Sequence, residues 1–176
     1  NYIMGYSLYR QTLYDQADDY LREACGADDM LTQNASYHLA DCYLREGDKA
    51  NAMHSFAMAS SASFDKGIAE DALFNYGKLQ YELGGGVFNE AINVLTRYLD
   101  QYPSSERADE AHQLLIAAYY NSHNYSEAYD AIKSLPNPDN EALLALQKIA
   151  YFNGLDAYSQ GELAAAEASL TESTSV

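Results

Sequence analysis

One spacing of small and apolar residues recurs five times along the chain. A small or apolar residue is followed twelve positions later, or fourteen in the third case, by an alanine with further apolar residues beyond it. These alanines, on average about 37 residues apart, are Ala17, Ala52, Ala91, Ala128 and Ala166. A unit of this length cannot bury its apolar face alone, so the spacing predicts a stack of similar units.

Each unit is predicted to be a pair of helices, which we call A and B in chain order. Apolar residues are spaced by three and four positions, as in Leu39 and Tyr43 or in Ala52, Phe56 and Ala59. That period is typical of helices, whereas strands alternate every two residues. The small residue of helix A and the alanine of helix B allow the two backbones to approach closely. The sequence therefore predicts an all-α fold.

Turn-forming residues lie between the predicted helices. Gly47 and Asp48 separate the helices of the second unit, with Asp48 as a candidate N-cap, and Asn89 opens the B helix of the third. Because proline cannot continue a helix, Pro103–Ser105 is expected to end the third unit and Pro136–Asp139 the fourth. The breaks predict a single array whose units span 1–31, 33–66, 70–105, 109–142 and 147–176.

The units resemble the tetratricopeptide repeat (TPR) family over nearly the whole chain. The closest match is the second unit, with the residues Leu39, Ala40, Tyr43, Gly47, Ala52, Phe56 and Ala59. The resemblance implies a right-handed superhelical solenoid of about five antiparallel helix pairs. The first unit starts partway into its A helix and the fifth stops before its B helix is complete. Both ends are therefore expected to be truncated from a longer array.

One phrase narrows the resemblance further. Tyr98-Leu99-Asp100-Gln101-Tyr102-Pro103-Ser104-Ser105, followed by Asp109-Glu110-Ala111, is similar to a phrase of bacterial envelope TPR proteins. These include the lipoprotein of the outer-membrane assembly machinery and the TPR protein associated with the Tol-Pal system. The likeness implies a periplasmic or cell-envelope location in a bacterium, and a cytoplasmic adaptor is the alternative.

By the same resemblance, the A helices line the concave surface of the solenoid. Two positions seven residues apart share that face, and eight of the ten residues at these positions are aromatic. The predicted groove comprises Tyr2, Tyr6, Tyr9, Arg10, Tyr37, Asp41, Arg45, Phe74, Lys78, Tyr81, Tyr120, Tyr151 and Tyr158. Two interpretations stay open: the rings bind a partner, or they pack against the adjacent A helix.

Charge limits the class of partner. The chain has 26 acidic and 10 basic residues, a formal charge of −16, which disfavours nucleic acid and anionic membrane surfaces. No apolar run approaches the roughly 20 residues of a membrane-spanning helix, so no membrane insertion is expected. The predicted groove is balanced, with the acids Asp41, Asp71, Glu82 and Glu110 and the bases Arg10, Arg45, Lys78 and Lys148. Most of the negative charge is therefore expected on the other surfaces.

Catalytic and metal-binding patterns are weak. His38, Asp41 and Cys42 lie within about one turn of one helix, which could suggest an activated thiol or half of a metal site. No further ligands accompany them, and Cys25 and Cys42 are expected to be buried thiols. The sequence predicts no enzyme and no cofactor.

The function predicted from these observations is a non-catalytic scaffold. It binds a protein or peptide segment on the concave A-helix face, in a setting such as bacterial cell-envelope assembly. The alternative is a small-molecule or glycan binder, because a tyrosine-lined groove also suits sugar rings.

Overall fold

The computed structural model describes residues 1–135, 138 and 140–175. This part of the chain contains ten helices and no strands, which confirms the all-α solenoid of helix pairs. The A helices are α1 (Tyr2–Arg10), α3 (Met30–Glu46), α5 (Lys66–Leu83), α7 (Ala108–Asn121) and α9 (Asn140–Ser159). The B helices are α2 (Tyr14–Glu23), α4 (Lys49–Ser61), α6 (Asn89–Gln101), α8 (Tyr125–Lys133) and α10 (Leu163–Ser173).

Aspartate side chains cap three helices in the first half of the chain. The carboxylate of Asp48 accepts a hydrogen bond from the backbone N–H of Asn51 at 3.1 Å, which confirms the predicted N-cap. Asp29 and Asp65 cap α3 and α5 in the same way. The predicted start of α6 at Asn89 is also confirmed. The predicted break at Pro136–Asp139 includes Pro136, Asn137 and Asp139, which lie outside the described residues.

Close contact between A and B helices explains the recurring small residues. The five repeat alanines are at most 3% exposed. A Cβ atom added to Gly5, Gly77 or Gly154 would lie within 2.9 Å of a leucine side-chain atom of the paired B helix. Larger residues at these positions would force the two helices apart.

The pairs stack so that each B helix packs against the A helix that follows it. Consecutive A helices also contact each other, whereas no two B helices of the described part have Cα atoms within 8 Å. One core cluster illustrates this stacking, because Ala40 of α3, Phe56 of α4 and Ala72 of α5 meet in it. The array therefore curves with its A helices on the inner side. We call the surface that these helices form the A face.

A buried glutamine closes the turn between α4 and α5. Gln33 is 1% exposed, and its amide nitrogen lies 3.2, 2.9 and 3.1 Å from the carbonyl oxygens of Ala59, Ala62 and Asp65. Its amide oxygen accepts a hydrogen bond from the backbone N–H of Asp65 at 2.7 Å. The side chain thus satisfies backbone groups that the end of α4 leaves without helical partners.

In the described part of the chain, no helix is long and apolar enough to cross a membrane.

Candidate partner-binding face

Three tyrosines form a row along α1 on the A face. The ring centroids of Tyr2 and Tyr6 are 5.9 Å apart, and those of Tyr6 and Tyr9 are 6.2 Å apart, with near-parallel planes. Spacings of four and three residues place all three on one side of the helix. Arg10 donates a hydrogen bond to the Tyr6 hydroxyl at 3.2 Å. Each of the three rings is only partly buried. We call Tyr2, Tyr6 and Tyr9 the tyrosine row.

His38 of α3 packs against this row. Its ring centroid lies 4.9 Å from that of Tyr6 and 4.8 Å from that of Tyr9. The Nδ1 atom is buried and has no hydrogen-bond partner among the described residues, and burial lowers the pKa of His38. Burial also raises the pKa of the nearby Cys42 to about 12. Both groups are therefore neutral at physiological pH, and the Cys42 thiol is not activated.

Hydrogen bonds from phenol to carboxylate link successive A helices. The Tyr9 hydroxyl of α1 donates to Asp41 of α3 at 2.8 Å, and the Tyr37 hydroxyl of α3 donates to Asp71 of α5 at 2.6 Å. Burial, followed by the hydrogen bond to Asp41, raises the pKa of Tyr9 to about 12. Burial, followed by the hydrogen bond to Asp71, raises the pKa of Tyr37. These two tyrosines therefore hold neighbouring units together.

Phe74 of α5 is buried beneath the A face. It is 2% exposed, and the Arg107 guanidinium lies 5.0 Å above its ring centroid. Arg107 is fixed in that position by an ion pair of 2.6 Å with Asp71. The Phe74 ring thus belongs to the core and does not line the surface as predicted.

The remaining charged groove residues of α3 and α5 are paired within the chain. Lys78 of α5 lies 2.8 Å from Glu110 of α7, and Arg45 lies 3.5 Å from Asp41 within α3. The Tyr81 hydroxyl accepts a hydrogen bond from the Asn121 amide at 3.0 Å. We call the five cross-helix contacts of Tyr9, Tyr37, Lys78, Tyr81 and Arg107 the inter-unit bridges.

The last predicted groove residues are more open. Tyr151 and Tyr158 of α9 are 48% and 64% exposed, and Tyr158 lies beside Leu163 and Leu170 of α10. Tyr120 of α7 lines a cleft of about 240 Å³ between α7 and α9. A second space adjoins it along α9 and is lined by Tyr120, Leu144, Ala145 and Lys148. We call the two spaces together the α7–α9 cleft.

A larger cleft borders the contact between Tyr37 and Asp71, because Asp71 and Arg107 are among its lining residues. It measures about 610 Å³ and lies between the start of α5, the end of α6 and the loop before α7. Its lining includes Tyr98, Tyr102 and Pro103 of the envelope-like phrase, together with the carboxyl group of Glu70. The Tyr98 hydroxyl is 2.7 Å from the Ser105 hydroxyl, so the phrase shapes the wall of this cleft.

The bridging partners Arg107 and Asn121 were missed by sequence reasoning. Each lies outside the two groove positions that were compared between units, and Arg107 precedes the first residue of α7. A usable signal did exist, because Tyr9 and Asp41, and likewise Lys78 and Glu110, are 32 residues apart. A search for complementary side chains about one unit apart would have found these pairs.

The fold is that of a helical-repeat protein, an architecture whose extended concave surfaces often bind other proteins. A family model described as tetratricopeptide repeat matches residues 34–60 and 71–105, within the helix pairs α3–α4 and α5–α6. The two matched stretches are therefore similar to tetratricopeptide repeats, and the fold of the described residues is consistent with an array of such units. No curated protein matches the sequence.

Solved structures with a similar fold cover almost the whole chain. The structure of MamA AMB-1 is 16% identical, with a TM-score of 0.53 over 99% of this chain and 95% of the other. A Podosopora anserina putative kinesin light chain with nearly identical TPR-like repeats is 11% identical, with a TM-score of 0.53 over 99% and 92%. The C-terminal part of a TPR repeat-containing protein from Cytophaga hutchinsonii is 18% identical, with a TM-score of 0.52 over 98% and 63%. At these identities the likeness shows the fold alone.

Proposed function

We propose that this chain is a non-catalytic scaffold that binds a segment of a partner protein on its A face. The tyrosine row carries the proposal. Stacking fixes the orientation of its rings before any partner arrives, and each tyrosine offers a large contact surface with few rotatable bonds. Preorganised aromatic rows of this kind lose little conformational entropy on binding.

The proposed setting is the bacterial cell envelope, where the scaffold would take part in assembly. The support is the phrase from Tyr98 to Ser105 and its likeness to envelope TPR proteins, with a cytoplasmic adaptor as the alternative. The net charge of −16 supports a protein partner over nucleic acid. Visualising the location of a tagged full-length protein in its own organism tests the setting independently of binding.

A displayed library of random dodecapeptides tests the binding proposal. We expect the wild-type chain to enrich a family of related peptides. The Tyr2→Ala/Tyr6→Ala variant should bind these peptides at least tenfold more weakly, because it removes two rings of the tyrosine row. Tyr20→Ala is the matched control, since Tyr20 is 40% exposed on the B helix α2. Failure of the wild-type chain to enrich any peptide family would reject the proposal.

A second candidate function is the binding of a glycan or another polar small molecule. The 610 Å³ cleft favours it, because sites for such ligands occupy about 300–1,000 Å³. Thermal-shift measurements with a panel of mono- and disaccharides test it. A rise in melting temperature that is lost in Tyr102→Ala would support this candidate, and no rise with any sugar would reject it for that ligand class.

A further inference from the structure

The junction between α7 and α9 contains a cleft whose lining is mostly small or apolar, with the amides of Gln113 and Asn121 beside it. At α7 and α9 the facing side chains include the small or apolar residues Ile116, Ala117, Ala142 and Ala145. These short side chains leave the space between the helices open.

The α7–α9 cleft has two adjoining compartments. The first measures about 240 Å³, and the second, of about 250 Å³, shares Tyr120 and Ala145 with it. The two compartments adjoin and are lined mainly by apolar groups, so they suit two neighbouring apolar side chains. Tyr120 forms the wall between them and is braced by an edge contact with Tyr125, at 5.7 Å between ring centroids.

The rim of the cleft adds a charge and an exposed apolar residue. Lys148 alone carries a charge among the described residues that line the two compartments, and its side chain is exposed. Leu144, one turn before it on α9, is 57% exposed. A cation beside an apolar cleft complements a partner segment that carries a carboxylate next to its apolar side chains.

The geometry points to the α7–α9 cleft as the anchoring site of the partner segment. The segment inserts two large apolar side chains into the two compartments and places an aspartate or glutamate against Lys148. This inference rests on the proposed function, because it specifies where on the A face the segment binds and what its chemistry is.

The test uses the same displayed dodecapeptides and four further variants of the whole chain. Peptides enriched on the wild type should contain two large apolar residues with an acidic residue within one helical turn of them. Ala145→Trp places an indole where the two compartments adjoin and should weaken binding of these peptides at least tenfold. Leu144→Ala should weaken it at least fivefold, and it changes only an exposed side chain, so folding is not at risk. Ala164→Trp is the control, because Ala164 is exposed on the B helix α10.

A charge reversal tests the ionic contact separately. On Lys148→Glu the library should enrich peptides with lysine or arginine where the wild type enriches acidic residues. Unchanged preference on this variant would overturn the role of Lys148.

The outcomes separate this inference from the proposed function. Peptides that bind Ala145→Trp and Leu144→Ala as tightly as the wild type, but lose affinity in Tyr2→Ala/Tyr6→Ala, overturn the inference and leave the proposed function intact. Peptides insensitive to all of these variants overturn both. A wild-type dimer in solution that Ala145→Trp converts to monomer would show that a second copy occupies the cleft, which also overturns the inference.

Discussion

At the scale of single residues, side chains that join two or three helices matter most. Gln33 contacts backbone groups of the α4–α5 turn from within α3, and the hydroxyls of Tyr9 and Tyr37 each reach a carboxylate of the next A helix. Burial of an amide or phenol is favourable only when its polar atoms are hydrogen-bonded. Loss of such a side chain therefore costs more than its apolar contacts.

Replacing Gln33 by leucine should lower the free energy of unfolding by about 2–3 kcal/mol. The substitution roughly keeps the volume but removes the hydrogen-bond partner of the Asp65 N–H and of the Ala59 and Ala62 carbonyl groups, at about 1–3 kcal/mol for an unsatisfied buried group. Urea denaturation followed by circular dichroism measures the change. Gln16→Leu is the control, since Gln16 is exposed on α2. Equal midpoints for the two variants would contradict this account of the turn.

In Tyr9→Phe, the free energy of unfolding should fall less at alkaline pH than it does in the wild type. Burial and the hydrogen bond to Asp41 raise the pKa of Tyr9 in the folded state to about 12, from about 10 in an unfolded chain, so the phenol favours folding below pH 10. That contribution is lost as the pH rises from 10 towards 12, because the unfolded chain releases the proton first. Urea midpoints measured across this range should fall less steeply in Tyr9→Phe than in the wild type. Parallel curves would show that the environment of the Tyr9 phenol does not couple folding to ionisation.

At the scale of the helix pair, close approach of A and B governs stability. The missing side chain at Gly77 leaves space that Leu95 of α6 fills, since an added Cβ would lie 2.9 Å from the Leu95 Cδ2 atom. Such packing tolerates little added volume because neighbouring side chains already sit at close-packed distances. The recurring small residue is therefore a requirement of helix spacing.

Gly77→Val should destabilise the chain by about 1–3 kcal/mol through overpacking of the α5–α6 contact. Gly67→Val is the matched control, because a Cβ added to Gly67 meets only the Asp65 Oδ1 atom, at 3.4 Å. Thermal unfolding followed by circular dichroism compares the two. A control as unstable as Gly77→Val would attribute the effect to the valine itself and not to the helix contact.

At the scale of the whole molecule, stability should vary along the array. In solenoids each unit is stabilised mainly by its immediate neighbours, and the central helices pack on both sides. Amide hydrogen exchange should therefore be slowest in α4 and α5, which Gln33 also joins to α3. Equal protection of α1 and α5 would indicate a single cooperative unit instead.

The solenoid could be predicted from sequence because its signals are local. Helical spacing, the turn at Gly47 and Asp48, and the repeat alanines each depend on residues within one unit. The details of the A face depend on contacts between units. The aromatic positions could be read from the sequence, but not that Tyr37 would bond to Asp71 or that Arg107 would cover Phe74. Local spacing holds no information on which of several exposed rings a neighbouring helix will cover.

The inter-unit bridges have a mechanical consequence. Successive A helices contact each other, whereas the B helices of the described part do not. The curvature of the array is therefore set by contacts on its A face. Replacing Tyr37 by phenylalanine removes the inter-unit bridge from Tyr37 of α3 to Asp71 of α5. The chain should then sample a wider spread of end-to-end distances, which spin labels on α1 and α7 would measure. The number of intact inter-unit bridges would thus determine the radius of curvature of the A face.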